Sequence, residues 1–78
     1  MQKETVLSEV EAIFRDILDD GNIKLTEETT ADDVEEWNSL THIQLIVAIE
    51  KHFKIKFSSN EILSWKNVGE MLNGILKK

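Results

Sequence analysis

Apolar residues recur along the first part of the chain at three- and four-residue steps: Val6, Val10, Ile13, Phe14, Ile17 and Leu18. That spacing lays one apolar stripe along a helix over about residues 3–19. Asp19, Asp20, Gly21 and Asn22 follow as stop and turn residues, with Gly21 suited to the left-handed position past a helix end. Through the next stretch, to residue 38, no period persists. Thr26 to Asp33 is a loop by composition, and Ile23, Leu25, Val34 and Trp37 are the side chains able to pin it to a core. An ordered loop, held at both ends, is expected.

Ser39 to Phe53 reads as a second helix, entered through the strong cap formers Asn38 and Ser39. At about 100° per residue, Leu45, Ile46, Ile49 and Phe53 share a core-facing arc with Ile43 at its edge. Leu40 and Val47 fall on the opposite side, in line with Gln44 and Lys51. Two large apolar side chains on a wet face suggest a docking surface. Ser58 and Glu61 have capping-box spacing, and Ile62, Leu63 and Trp65 follow, which predicts a short third helix. Asn67 and Glu70 repeat that spacing ahead of Val68, Met71, Leu72, Ile75 and Leu76, one helical stripe for a fourth. Lys54 to Phe57 could extend, yet a lone short strand has nothing to pair with. The expected fold is all-α: a small four-helix bundle with three longer helices, a short third one, and a long loop between the first two.

Composition narrows the class. A chain of 78 residues, 41% hydrophobic and 31% charged, has room for a single small soluble domain, expected to span residues 1–78. The absence of cysteine excludes a disulfide framework, a thiolate metal site and a cysteine nucleophile, and a reducing, cytoplasmic setting is expected. The longest apolar run, Leu45 to Ile49, is five residues, against the roughly 20 that a membrane-spanning helix needs. No secretory leader pattern is present. The net charge of −6 argues against a nucleic-acid partner. That charge is concentrated: Glu27, Glu28, Asp32, Asp33, Glu35 and Glu36 fall in one stretch without a basic residue, whereas Lys51 to Lys78 holds six lysines against Glu61 and Glu70.

Candidate chemistry is sparse. His42 and His52 are ten apart and no glycine-rich phosphate loop exists. The clustered acids lack the alternating spacing of a calcium loop, so no metal site is expected. His42 lies near the core arc and reads as a packed or capping histidine. Ser39 stands where a long acidic loop meets a helix, and the free N–H groups and dipole of a helix start favour an attached phosphate. Helix capping by Asn38 or Ser39 accounts for the same spacing.

The stretch Trp37-Asn38-Ser39-Leu40-Thr41-His42-Ile43-Gln44-Leu45 resembles the Asp-Ser-Leu segment of the acyl carrier protein family, with an apolar helix running on to Glu50 and Phe53. Leu25-Thr26-Glu27-Glu28-Thr29, Lys54-Ile55-Lys56-Phe57 and Asn67-Val68-Gly69 sit where such proteins carry their loop, their post-helix segment and the start of their last helix. The likeness covers nearly the whole chain. It implies a non-catalytic, freestanding carrier whose Ser39 receives 4'-phosphopantetheine from coenzyme A through a separate phosphopantetheinyl transferase. The arm's thiol then carries an acyl or related group as a thioester between loading and processing enzymes. A cysteine-free chain accords with a reactive sulfur supplied by the prosthetic group.

Two departures from that family bear on partners. Asn38 stands where the family has aspartate, which removes one negative charge from the recognition edge. The following helix offers Gln44, Lys51 and His52 with only Glu50 acidic, so basic partners built for a uniformly acidic helix should bind it less well. Asn38, Leu40, Gln44, Val47, Glu50 and Lys51 are the expected partner contacts. The expected cargo is an acyl intermediate of fatty acid, polyketide or other specialised metabolism, on a monomer. The alternatives are an aminoacyl or peptidyl carrier and an unmodified interaction module anchored on Leu40 and Val47. A hydrolase with Ser39 as nucleophile would need a base and an oxyanion hole, and only His42 is near in sequence.

Overall fold

The computed structural model describes residues 2–78, with helices α1 (Lys3–Ile17), α2 (Ser39–Phe53), α3 (Ser59–Ser64) and α4 (Val68–Leu76). Among the described residues there is no strand, and the expected four-helix architecture is what the chain adopts. A short 3-10 turn, Ala31–Asp33, interrupts the first loop. The pattern gave no sign of it, because a three-residue turn has no hydrophobic period to display.

α1 packs against both α2 and α4. Val6, Val10, Phe14 and Leu18 from α1 and its cap meet Leu45, Ile46 and Ile49 of α2 and Val68, Met71, Leu72 and Ile75 of α4, all buried. Each such side chain contributes about 1.5–3 kcal/mol on leaving water, and this shared core holds the three longer helices together. Phe53 is only half-buried, and Leu76 is exposed at the end of its stripe. Ile43 departs further from expectation: placed at the edge of the core arc by its angle, it is 64% exposed. The α2 core contacts centre on Leu45 and Ile49, which turns Ile43 away from α1.

α1 ends two residues earlier than predicted. Asp19, with φ of 53°, takes the left-handed position, and Asp20 N–H closes onto the Arg15 carbonyl at 3.1 Å. Gly21 is not the left-handed residue; aspartate tolerates that conformation, and the Asp20 carboxylate accepts the Asn22 N–H at 2.9 Å to tighten the turn. Lys54 ends α2 in the same way, with φ of 59° and the Ile55 N–H on the Glu50 carbonyl at 3.0 Å.

The long loop is ordered, as its anchors suggested. Ile23, Leu25, Val34 and Trp37 are all buried. Polar contacts hold it as well: Arg15 Nε donates to the Ile23 carbonyl and Glu11 accepts the Leu25 N–H, at 2.8 and 2.9 Å. At its far side the Thr29 and Glu27 carbonyls accept the Val68 and Gly69 N–H groups, both at 2.8 Å, so the loop satisfies two of the donors that open α4. α3 buries no residue fully; it rests on half-buried Ile62 and on Trp65, whose ring meets Phe57 edge to face.

Candidate functional site

Asn38 rather than Ser39 caps α2. Its Oδ1 accepts the Leu40 and Thr41 N–H groups, each at 3.0 Å. Thr41 Oγ1 returns the favour by accepting the Asn38 N–H at 2.8 Å and donating to the Glu36 carbonyl at 2.8 Å. This reciprocal box fixes the entry of the loop into the helix. Ser39 is therefore the first residue of α2 with no capping duty. Among the described residues its hydroxyl makes no hydrogen bond, and it is exposed.

The expectation of several free N–H groups at this helix start needs correction. Asn38 already takes two of them, so a phosphate ester on Ser39 would rely on the helix dipole and on its own N–H. An uncommitted, exposed hydroxyl at the positive end of a 15-residue helix still fits an attached phosphodiester.

Ser39 borders a cleft of about 580 Å³ between the start of α2 and the α3–α4 region. Trp37, His42 and Ile43 form one wall. Ile62, Leu63 and Trp65 face them, and Met71 contributes from α4. Leu63 is 82% exposed, a large apolar side chain at the rim. The periodicity could not reveal this cleft, because its walls come from two separate stretches of the chain, around residues 37–43 and 62–71.

His42 is packed, as expected. Its ring lies nearly parallel to the Trp37 indole, and Trp37 Nε1 donates to His42 Nδ1 at 3.0 Å. Trp37 in turn meets Phe14 edge to face at 4.9 Å, which ties the cleft wall to the core. Burial holds the His42 imidazole below its ordinary value. With the Nδ1 lone pair occupied, His42 has no free base to activate Ser39, so the arrangement is poor for hydrolysis.

The remaining expected contact residues separate. Leu40 and Val47 do point outward, at 68% and 44% exposure, with Gln44 and Lys51 also exposed. Glu50 is half-buried, and its carboxylate accepts the Phe57 N–H at 2.8 Å, bracing the segment between α2 and α3. Two close approaches at glycines, which the pattern of the chain did not reveal, set the packing around the site. Gly69 lets α4 approach the loop, and Gly74 lies against Trp65, where a Cβ would come within 3.0 Å of the indole.

The family model for the phosphopantetheine attachment site matches residues 8–75. Among solved structures, the holo acyl carrier protein from Geobacter metallireducens, determined in solution, is similar at 45% identity with a TM-score of 0.88, covering 94% of this chain and 84% of that one. A search of curated proteins returned no significant match. With the four helices, the free serine at the head of α2 and these two likenesses together, the chain belongs to the phosphopantetheine-attachment family, among the acyl carrier proteins.

Proposed function

We propose that Ser39 is the residue that takes the 4'-phosphopantetheine arm, and that the cleft beside it receives the cargo. One observation carries the assignment: Asn38 performs the capping, which leaves the Ser39 hydroxyl free at the helix start and beside the cleft. In the transfer, Ser39 Oγ attacks the pantetheine-bearing phosphorus of coenzyme A. A P–O bond forms, the pyrophosphate bond breaks, the adenosine bisphosphate leaves, and the serine proton passes to the transferase. Bound, the arm supplies a thiol that holds acyl groups as thioesters. The protein's own contribution is positional: an exposed attachment point, a rigid α2, and an apolar cleft that shelters what is attached.

Partner enzymes meet the outward line of α2, through Leu40, Gln44, Val47 and Lys51, with Asn38 at its head. Glu50 flanks it, but its carboxylate is already engaged by the Phe57 N–H. This face is apolar and weakly basic, which favours partners that dock through apolar contact over those with strongly basic surfaces. A specialised acyl pathway in the cytoplasm fits that face and the cysteine-free chain, and no helix among the described residues is long and apolar enough to cross a membrane.

Co-expression with a carrier transferase followed by intact mass and peptide mapping tests the attachment. A phosphopantetheine increment confined to the Ser39 peptide and lost in Ser39→Ala is expected. An increment that survives the substitution, or that maps to Ser58, Ser59 or Ser64, refutes it.

A further inference from the structure

His42 sits one turn after Ser39, on the same side of α2, and both line the cleft. Its two ring nitrogens have separate fates. Nδ1 accepts the Trp37 indole N–H at 3.0 Å, and an indole N–H can only donate, so Nδ1 must carry its lone pair. The neutral ring then holds its proton on Nε2. Among the described residues Nε2 has no hydrogen-bond partner, and no buried side-chain nitrogen or oxygen lacks one, so Nε2 is reachable from outside. His42 is one of the residues that line the cleft.

The lining of a cavity walled mainly by indole and aliphatic groups thus includes a ring with one free N–H donor, held in place by its bond to Trp37. The other polar side chains at the cleft are committed or distant in kind: Asn38 Oδ1 caps α2, Asn67 Oδ1 accepts the Glu70 N–H, and Lys66 is an exposed cation on the α3–α4 connection. The ring cannot readily turn away, because rotation would cost both the Trp37 bond and the near-parallel stacking of the two rings.

From this arrangement, and resting on the assignment of Ser39 as the attachment point, we infer that His42 Nε2–H is a specificity-determining donor that binds a neutral oxygen of the attached group, a carbonyl or hydroxyl, inside the cleft. A wholly saturated chain leaves the donor unanswered, whereas an oxygen within reach of it gains a hydrogen bond in an apolar surround. That oxygen can come from an amide carbonyl of the arm or from the cargo itself. His42 acts by binding and orienting; the bond-making steps belong to partner enzymes.

The test uses the intact protein in four states: unmodified, holo, and loaded with either butanoyl or 3-hydroxybutanoyl. Long-range nitrogen–proton correlation of the histidine rings reports the tautomer and the environment of the His42 Nε2 proton. The expected result is a proton on Nε2 in every state and a downfield shift of that proton when an acceptor arrives. A shift already present in the holo protein assigns the acceptor to the arm. A shift that appears with 3-hydroxybutanoyl but not with butanoyl assigns it to the cargo. Either supports the inference. In His42→Phe, which keeps an aromatic ring on Trp37 without the donor, the loading-induced shifts at Trp65 and Met71 should shrink. Equal shifts in variant and wild type, a proton found on Nδ1, or a ring proton unmoved across all four states overturns it. Intact mass keeps the two assignments apart: a holo mass with an unmoved ring proton overturns the role of His42 alone, whereas no mass increment overturns both.

Discussion

Gly69 and Glu27 meet backbone to backbone. The Gly69 N–H donates to the Glu27 carbonyl at 2.8 Å, and a Cβ at Gly69 would lie 2.8 Å from that same oxygen. The start of α4 and the acidic loop can approach this closely only because residue 69 has no side chain, and the neighbouring Val68–Thr29 bond depends on the same approach. Gly69→Ala gains up to about 1 kcal/mol in helix propensity but forces two backbones apart, an overpacking cost of about 1–3 kcal/mol. The expected outcome is a lower melting temperature with faster hydrogen exchange at the amides of residues 68 and 69. Unchanged exchange at both amides would show that the loop follows α4 without strain.

Asn38→Asp should speed modification by a general carrier transferase. The carboxylate retains the acceptor that the Leu40 and Thr41 N–H groups need, and it restores the charge that the family presents beside its serine. Initial rates of arm transfer for both proteins decide it; a rate equal to or below that of the unmodified sequence shows that Asn38 is no handicap.

Val47 and Ile49 lie two positions apart on α2 and belong to opposite environments, 44% and 0% exposed. Val47→Asp should change stability by only about 0.5 kcal/mol, while weakening productive encounters with loading enzymes. Ile49→Asp buries an unpaired carboxylate beside α1 and should cost about 5 kcal/mol, comparable to the whole stability of a small domain. Paired thermal melts and loading kinetics check both. Normal kinetics for a stable Val47→Asp protein would remove that residue from the docking face.

Acid should weaken the fold in two separate windows. Burial holds His42 below the ordinary histidine value, so as pH falls through about 6.5 the unfolded chain takes up the proton first. Stability therefore declines from there until the folded pKa is passed. Asp20 and Glu61 are lowered by hydrogen bonds, from the Asn22 N–H and from Lys78 respectively. Their stabilisation is present above the ordinary carboxylate range and is lost only as pH falls well into the acid region. Ring titration by NMR should place His42 below 6.5 with a fall in melting temperature over the same interval. A midpoint at or above 6.5 contradicts the first window.

Much of this protein follows from local rules that act within one element. The stripe Val6, Val10, Phe14 and Leu18 had to seek a core, Ser58 with Glu61 had to open a short helix, and Leu40 with Val47 had to share a wet face, because helical geometry fixes these relations within a few residues. The order of motifs around Ser39 was equally legible, since it is written in the chain itself. What the tertiary structure decided are the matters settled where one element or loop meets another, whatever their separation in sequence. Asn38 and Ser39 are both good caps, and the choice fell to Asn38 once Thr41 could bond back to Glu36. Ile43 left the core because packing of α1 centres on Leu45 and Ile49. The close approaches at Gly69 and Gly74 and the hydrogen bond from Trp37 to His42 were not legible in the sequence, since each exists only once loop and helix come within a few ångströms of each other.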